Sequence, residues 1–225
     1  MIPAEFFQKH DSSSSAITRR QVCLHRHINK VDRFVYTVRM KSKNIGLTAR
    51  EKILLTAHDL FYREGIRATG IDRIIKESGV TKVTFYRHYP SKNELIRAYL
   101  EYRHAYWMHW FVDAVDRHKR INADPISFIV RVLAEWFGSQ IFRGCAFINA
   151  VAEFDGELPA LVDIIKHHKA DMADALALQL LSTRLEGLEM AVAMAIDGAI
   201  VRAQIEKNPE PALETLREIL RALQK

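Results

Sequence analysis

Apolar residues recur along most of this chain at the spacing of helices. From Thr48 onward they fall at i, i+3, i+4 and i+7 almost without a break, and no segment carries the β-branched alternation of a half-buried strand. The pattern predicts an all-α fold. A first helix opens at the capping box Thr48-x-x-Glu51, places Ile53, Leu54, Ala57, Leu60 and Phe61 on one face, and stops at Gly65. Ile71, Ile74 and Ile75 make a short second helix that Gly79 breaks, and Thr81 caps a third in which Phe85 and Tyr89 share a face. These three helices are expected to share one small core.

Pro90-Ser91-x-x-Glu94 then opens a long helix that runs through Leu95, Tyr99, Tyr106 and Trp107 to about Lys119. Asp124-Pro125 starts another, with Ile126, Ile129, Val130 and Leu133 facing inward until Gly138, and a further helix follows Gly144. The last three helices are expected at about 157–181, 183–206 and 210–224, the middle one opened by Thr183-x-x-Glu186 and closed by Asn208-Pro209. Residues 1–45 show no sustained period. With their Ser12 to Ser15 tract they read as a disordered or loosely ordered extension, and Met40, shortly before the first helix, is a second candidate for the translation start. The chain thus divides into an extension at 1–45, a three-helix unit at 47–107 and a helical unit at 108–225.

Charge sharpens this division. Lys and Arg against Asp and Glu number 9 to 3 in residues 1–45, 10 to 6 in 46–100 and 14 to 18 in 101–225. A basic front beside an acidic back suggests that only the front faces a polyanion. Cys23 and Cys145 lie far apart with no CxxC pair, which argues against a disulfide framework or a zinc ribbon and favours a reducing cytoplasm. No apolar run reaches the length of a membrane span. No phosphate-binding glycine loop, GxSxG or HExxH is present, so neither a catalytic set nor a cofactor is assigned.

A helix, a glycine-centred turn and a second helix with a polar outer face is the arrangement the major groove of DNA requires. In the third helix Phe85 and Tyr89 point inward, so helical geometry turns Val83 and Arg87 outward and leaves Lys82, Thr84, Tyr86 and His88 on the flanks. Val83 can meet a thymine methyl, Thr84 and Lys82 a base edge or phosphate, and Tyr86 and Arg87 the backbone. Lys92, in the first turn of the next helix, is a further phosphate candidate. With Thr69 and Thr81, these residues form the expected DNA-binding set.

Beyond the geometry, the residues themselves carry a resemblance. Arg50-Glu51-Lys52-Ile53-Leu54, Ala57, Leu60-Phe61, Gly65, Ala68-Thr69, Ile74-Ile75, Ser78-Gly79-Val80-Thr81-Lys82 and Thr84-Phe85-Tyr86-Arg87-His88-Tyr89-Pro90-Ser91-Lys92 are similar to the N-terminal signature of the tetracycline-repressor (TetR) family. The similarity spans about Leu47 to Trp107. It implies a helix-turn-helix whose Tyr86 and Lys92 hold the DNA backbone. Ile75 stands where the family usually has Ala, and Val83 where it often has a small residue. Past Trp107 only Gly144–Glu153 and Ile196–Ile200 resemble segments of one branch of the family. That branch implies a helical regulatory unit, which binds a small molecule and forms a two-fold dimer. The implied function is a sequence-specific transcription regulator, more often a repressor, released from its operator by a small-molecule inducer. A helical protein-interaction module and a ligand-independent activator are the rival readings.

Two features of the back half bear on those expectations. In the 183–206 segment Leu188, Met190, Val192, Met194, Ile196, Ile200, Val201 and Ile205 spread around most of the helix, so one covered face would not suffice and a homodimer follows, against the alternative of two central helices in a monomer. Trp107, Trp110, Phe111, Trp136, Phe137, Phe147 and Phe154 are the candidate lining of an apolar ligand pocket, or equally a packed core. Asp163, His167 and Asp171 recur at i, i+4 and i+8 and read as a solvated charged face, so no metal set is expected, and Cys145 reads as a small buried hydrophobe.

Overall fold

The computed structural model describes residues 46–154 and 159–225. The expected N-terminal extension, the Met40 start and Cys23 lie outside the described residues. Nine α-helices and no strand are present among them: α1 (Ala49–Glu64), α2 (Ile71–Ser78), α3 (Lys82–His88), α4 (Lys92–Ile121), α5 (Pro125–Phe137), α6 (Ala146–Phe154), α7 (Pro159–Leu180), α8 (Glu189–Glu206) and α9 (Pro209–Leu223).

Capping chemistry sets most of the boundaries. The Thr48 hydroxyl accepts from Glu51 N at 3.3 Å and the Glu51 carboxylate accepts from Thr48 N at 2.7 Å, which closes the box expected at the start of α1. Ser91 accepts from Glu94 N, and Asp124 accepts from Ser127 N ahead of Pro125. Gly79 ends α2 at φ 68°, a left-handed conformation that costs glycine little and other residues more.

The start of α8 differs from expectation. The Thr183 hydroxyl donates to Leu180 O at 2.7 Å, and Ser182 N donates to the Glu186 carboxylate at 2.8 Å. Thr183 therefore finishes α7 and does not open a new helix. The chain turns through Gly187 at φ 80° before α8 begins at Glu189.

Helix α4 is the structural bridge, packing on α1 at one end and on α5, α6 and α7 along the rest. Its continuous run from Lys92 to Ile121 passes through residue 107 without a break. Toward its C-terminus Arg117 meets Glu135 at 2.8 Å and His118 meets the same carboxylate at 2.9 Å, so α4 and α5 are pinned together. The Arg117 hydrogen bonds are the main reason that the Glu135 carboxyl is held down at about 2. Helix α8 is flanked by α7 and α9, and buries Val192, Ile196 and Ile200. Its opposite side leaves Met190, Met194 and Ile205 exposed. Cys145 is buried, as expected of a small hydrophobe.

Candidate nucleic-acid interface

Two aromatic residues anchor α3 in the core it shares with α1 and α2. Phe85 is fully buried and Tyr89 nearly so, with their ring centroids 6.4 Å apart, and Ile53, Leu60 and Ile74 are buried in the same core. Helix α2 is tied to α1 by Arg73, which donates to Glu64 and, within its own helix, to Glu77 at 2.8 Å. With Phe85 committed inward, α3 must turn its other face to solvent. Val83 is 79% exposed, so its side chain has no part in the core of the three helices. Lys82, Tyr86 and Arg87 are exposed beside it, His88 is half-buried, and no acidic residue occurs in α3.

Four of the expected site residues have structural duties in addition or instead. Thr81 is the N-cap of α3, its hydroxyl accepting from Thr84 N at 3.2 Å and donating to the Thr84 hydroxyl at 2.9 Å. Thr84 is half-buried and shares that bond. Thr69 has no exposed side chain at all: its hydroxyl donates to Gly65 O at 2.7 Å and it is fully buried. Hydroxyl bonding to a turn carbonyl is the usual competing role of a threonine. Lys92 projects its ammonium onto Ile66 O at 2.6 Å, 6.0 Å from the Phe61 ring centre. Burial lowers its pKa and the nearby Glu153 carboxylate opposes that shift.

Glu153 is a site residue that the sequence pattern does not point to. From the end of α6 it accepts the Arg67 backbone N–H at 2.7 Å. Lys92 and Glu153 thus bracket Gly65–Arg67, the loop between α1 and α2, from two different helices. The spacing of apolar positions carries no signal for a contact 86 residues apart in sequence.

The same loop borders a cavity of about 790 Å³. Phe61, Tyr62, Gly65, Phe142, Glu153 and Gln204 are among its walls, so it lies against both α1 and the C-terminal helices. Tyr62 helps to shape it, its hydroxyl donating to Gly144 O at 3.0 Å and accepting from Arg143 N at 3.1 Å. Gly144 has φ 80°, so another residue there would strain the backbone, and its Cβ, 2.0 Å from the Gln204 side chain, would make the end of that glutamine move. Of the seven aromatic residues expected to line a pocket, only Phe137 reaches this cavity. Trp107, Trp110 and Trp136 line a smaller cleft of about 270 Å³. Phe111 stacks on Trp107 at 4.8 Å, Phe147 stacks on His168 at 3.6 Å, and Phe154 is half-buried at the end of α6. These last three line neither space, and for Phe111 and Phe147 the reason is ring packing, which takes up the faces a ligand would need.

Known proteins share both this sequence pattern and this architecture. Residues 53–99 match the family described as bacterial regulatory proteins, tetR family. An uncharacterized HTH-type transcriptional regulator of Bacillus subtilis, YxaF, is 32% identical over 101 residues, covering 43% of this chain and 51% of that protein. The chain thus spans about half the length of that relative. The HTH-type transcriptional regulator TtgR of Pseudomonas putida is 25% identical over 203 residues, covering 79% of this chain and 95% of that protein. Among solved structures, SCO4454, a TetR-family transcriptional regulator from Streptomyces coelicolor, superposes with a TM-score of 0.64 at 30% identity, over 78% of this chain and 94% of its own. Helical architecture, helix-turn-helix and sequence agree: the chain belongs to the TetR family of bacterial regulatory proteins.

Proposed function

We propose that the chain is a cytoplasmic, homodimeric transcription regulator that grips operator DNA with α3 and is released by a small-molecule effector. Repression is the more frequent mode in the family. The observation that carries the reading is the outward face of α3, where a 79% exposed Val83 stands among Lys82, Tyr86 and Arg87 while Phe85 between them is fully buried. A protein-interaction module has no need of that set on one small surface. Residues 47–107 form the DNA-binding unit and 108–225 the regulatory and dimerisation unit.

Val83 and Lys82 reach base edges, with Thr84 and His88 on the flanks. Tyr86 and Arg87 hold phosphates, and Lys92 joins them by exchanging its bond to Ile66 O for a phosphate. Thr81 and Thr69 act by fixing backbone. Two such helices, about 34 Å apart on a two-fold dimer, read successive major grooves on one side of the duplex. The exposed Met190, Met194 and Ile205 on α8 supply the apolar surface of that dimer.

The effector enters the 790 Å³ cavity, next to the Gly65–Arg67 loop. It acts by binding more tightly to a conformer in which the two α3 helices no longer match the groove spacing, since only a difference in affinity shifts the DNA equilibrium. Selection of bound duplexes from a random pool, followed by titration of the selected site, tests the assignment. Val83→Ala should change which sites are preferred, whereas Tyr86→Phe and Arg87→Ala should weaken operator and random DNA alike. Equal loss on both kinds of DNA from Val83→Ala would sink the groove assignment.

A further inference from the structure

The helix face read as solvated in the sequence is only partly so. Asp163 is exposed, but Asp171 is half-buried and meets a residue from another helix. His104 Nε2 of α4 stands 3.3 Å from Asp171 Oδ2 of α7, and His167 Nε2 stands 3.3 Å from the same oxygen. All three ligand atoms lie within 4.8 Å of one another. Among the described residues this is the one group of three with that geometry.

The two distances from the carboxylate oxygen to the imidazole nitrogens, 3.3 Å each, fit a small tetrahedral ion. Zinc bonds of about 2.0–2.1 Å place tetrahedral ligand atoms roughly 3.3–3.4 Å apart, whereas an octahedral ion with the same bonds would bring neighbouring ligands to roughly 2.9 Å. The donor set is two imidazole nitrogens and one carboxylate oxygen, which suits a borderline divalent transition ion and leaves a coordination position for water. The three ligands do not come from one helix: α4 supplies one and α7 two, so the site closes only in the folded chain.

His168 completes the arrangement behind His104. It is buried, its ring stacks on Phe147 at 3.6 Å and 14°, and its Nδ1 lies 3.1 Å from His104 Nδ1. When His104 carries its proton on Nδ1 and donates to His168, the Nε2 lone pair faces Asp171 and His167. Two acceptors, His104 Nε2 and the Asp171 carboxylate, then confront each other at 3.3 Å, an arrangement a cation resolves. Metal-bound histidines are usually oriented by such an acceptor on the second ring nitrogen.

We propose that His104 Nε2, His167 Nε2 and Asp171 Oδ2 form a divalent transition-metal site, suited to Zn²⁺, that clasps α4 to α7, with His168 as the positioning residue for His104. The site is separate from the cavity and from α3.

The test uses the full chain, purified without a histidine tag and stripped with EDTA, titrated with CoCl₂ and then with ZnCl₂. The parent should develop the intense visible bands of tetrahedral Co²⁺, saturating at one ion per chain with a dissociation constant of about 10 μM or below, and Zn²⁺ should abolish them. His167 has a side chain 58% exposed, so His167→Ala should fold normally by circular dichroism. It and Asp171→Asn should each weaken binding by roughly tenfold or more, as should His168→Leu, while His168→Asn, which keeps an acceptor near the Nδ1 position, should restore most of the affinity. His109→Ala, on the exposed side of α4, should bind like the parent. No saturable Co²⁺ spectrum in the parent, or His167→Ala binding within about twofold of it, would overturn the site.

Discussion

Phe85 and Val83 are two residues apart on a helix of seven, and they should respond to the same substitution in opposite ways. Phe85 is fully buried, so Phe85→Ala removes the ring from a close-packed site. Such a truncation costs about 3–5 kcal/mol, part of it transfer free energy and part the cavity left behind. For a chain of this size each kcal/mol lowers Tm by about 2–4 °C, which gives a fall of roughly 6–20 °C. Val83→Ala removes two methyls that already stand in water. Its stability effect should stay within about 0.5 kcal/mol, with alanine's better helix propensity pushing it toward stabilisation. Thermal unfolding by circular dichroism, with quantitative binding to a selected operator at matched salt, separates the two. Phe85→Ala should lose stability and all DNA binding together, whereas Val83→Ala should keep its Tm and change its operator preference. A Tm loss above about 5 °C for Val83→Ala, or below about 3 °C for Phe85→Ala, would refute the inward and outward assignment of α3.

Burial depresses the His58 pKa, and Arg103 Nη1 lies 3.4 Å from His58 Nε2 as its donor, while Asp59 faces Nδ1 and Tyr99, Tyr102 and Tyr106 surround the ring. The folded pKa lies below the unfolded value of about 6.5, so the unfolded chain binds more protons below that pH. Stability from this group is full above about 6.5 and falls with acidification toward the folded pKa; His58→Gln should flatten the decline of Tm between about pH 7 and 5, and an unchanged slope would count against it. Glu153→Gln should weaken the charged acceptor for Arg67 N–H and speed exchange of that amide roughly tenfold by hydrogen-exchange NMR, since a charge-assisted bond is worth about 1.5–3 kcal/mol and this one is partly solvated. An unchanged rate would mean that the Glu153 bond does not hold the loop. Met194 is 69% exposed on α8, so Met194→Glu should leave Tm of the folded subunit nearly intact and shift sedimentation from dimer to monomer. A dimer of undiminished affinity would place the interface on another face.

What the sequence discloses depends on the range of the interaction. Phe85, Tyr89 and Val83 are legible because a helix converts local spacing into direction, and Thr48, Ser91 and Asp124 because a cap is made within three residues. The opening of α8 departs from its sequence pattern for a local reason too: Thr183-x-x-Glu186 has the residues of a capping box, but the Thr183 hydroxyl has a closer carbonyl, Leu180 O, at the end of α7. The seven aromatic residues expected to line a pocket fall between Trp107 and Phe154, but their positions do not reveal whether they enclose space, and the rings of Phe111 and Phe147 spend their faces on Trp107 and His168. Neither the contact of Glu153 with the α1–α2 loop nor that of His104 with Asp171 has a signal in the local spacing, because both are made by the way whole helices pack. Thr69 shows the opposite error, a residue of the motif whose side chain serves the fold.

Helix α4 explains how the two halves of the chain can communicate. Lys92 in its first turn touches the α1–α2 loop, Arg103 lays its guanidinium 3.9 Å from the Tyr62 ring centre, His104 faces Asp171, and Arg117 holds Glu135. From Lys92 to His104 the helix rises about 18 Å, so a tilt of about 10° pivoting at the His104 clasp moves Lys92 by about 3 Å. A displacement of that size is the length of a hydrogen bond, enough to separate the Lys92 ammonium from Ile66 O and to carry the loop with it. Glu153 works on the same loop from α6, without passing through α4. A ligand in the cavity can therefore push the loop through Glu153, whereas a metal between α4 and α7 stiffens the pivot itself. Their effects on DNA affinity add if the two routes are independent, and couple if the loop is where both act. Measuring operator affinity of the parent and of Glu153→Gln, each with and without Zn²⁺, decides this: a Zn²⁺ effect of equal fold in both places the inputs on independent routes, and one that vanishes in the variant places them on a single loop.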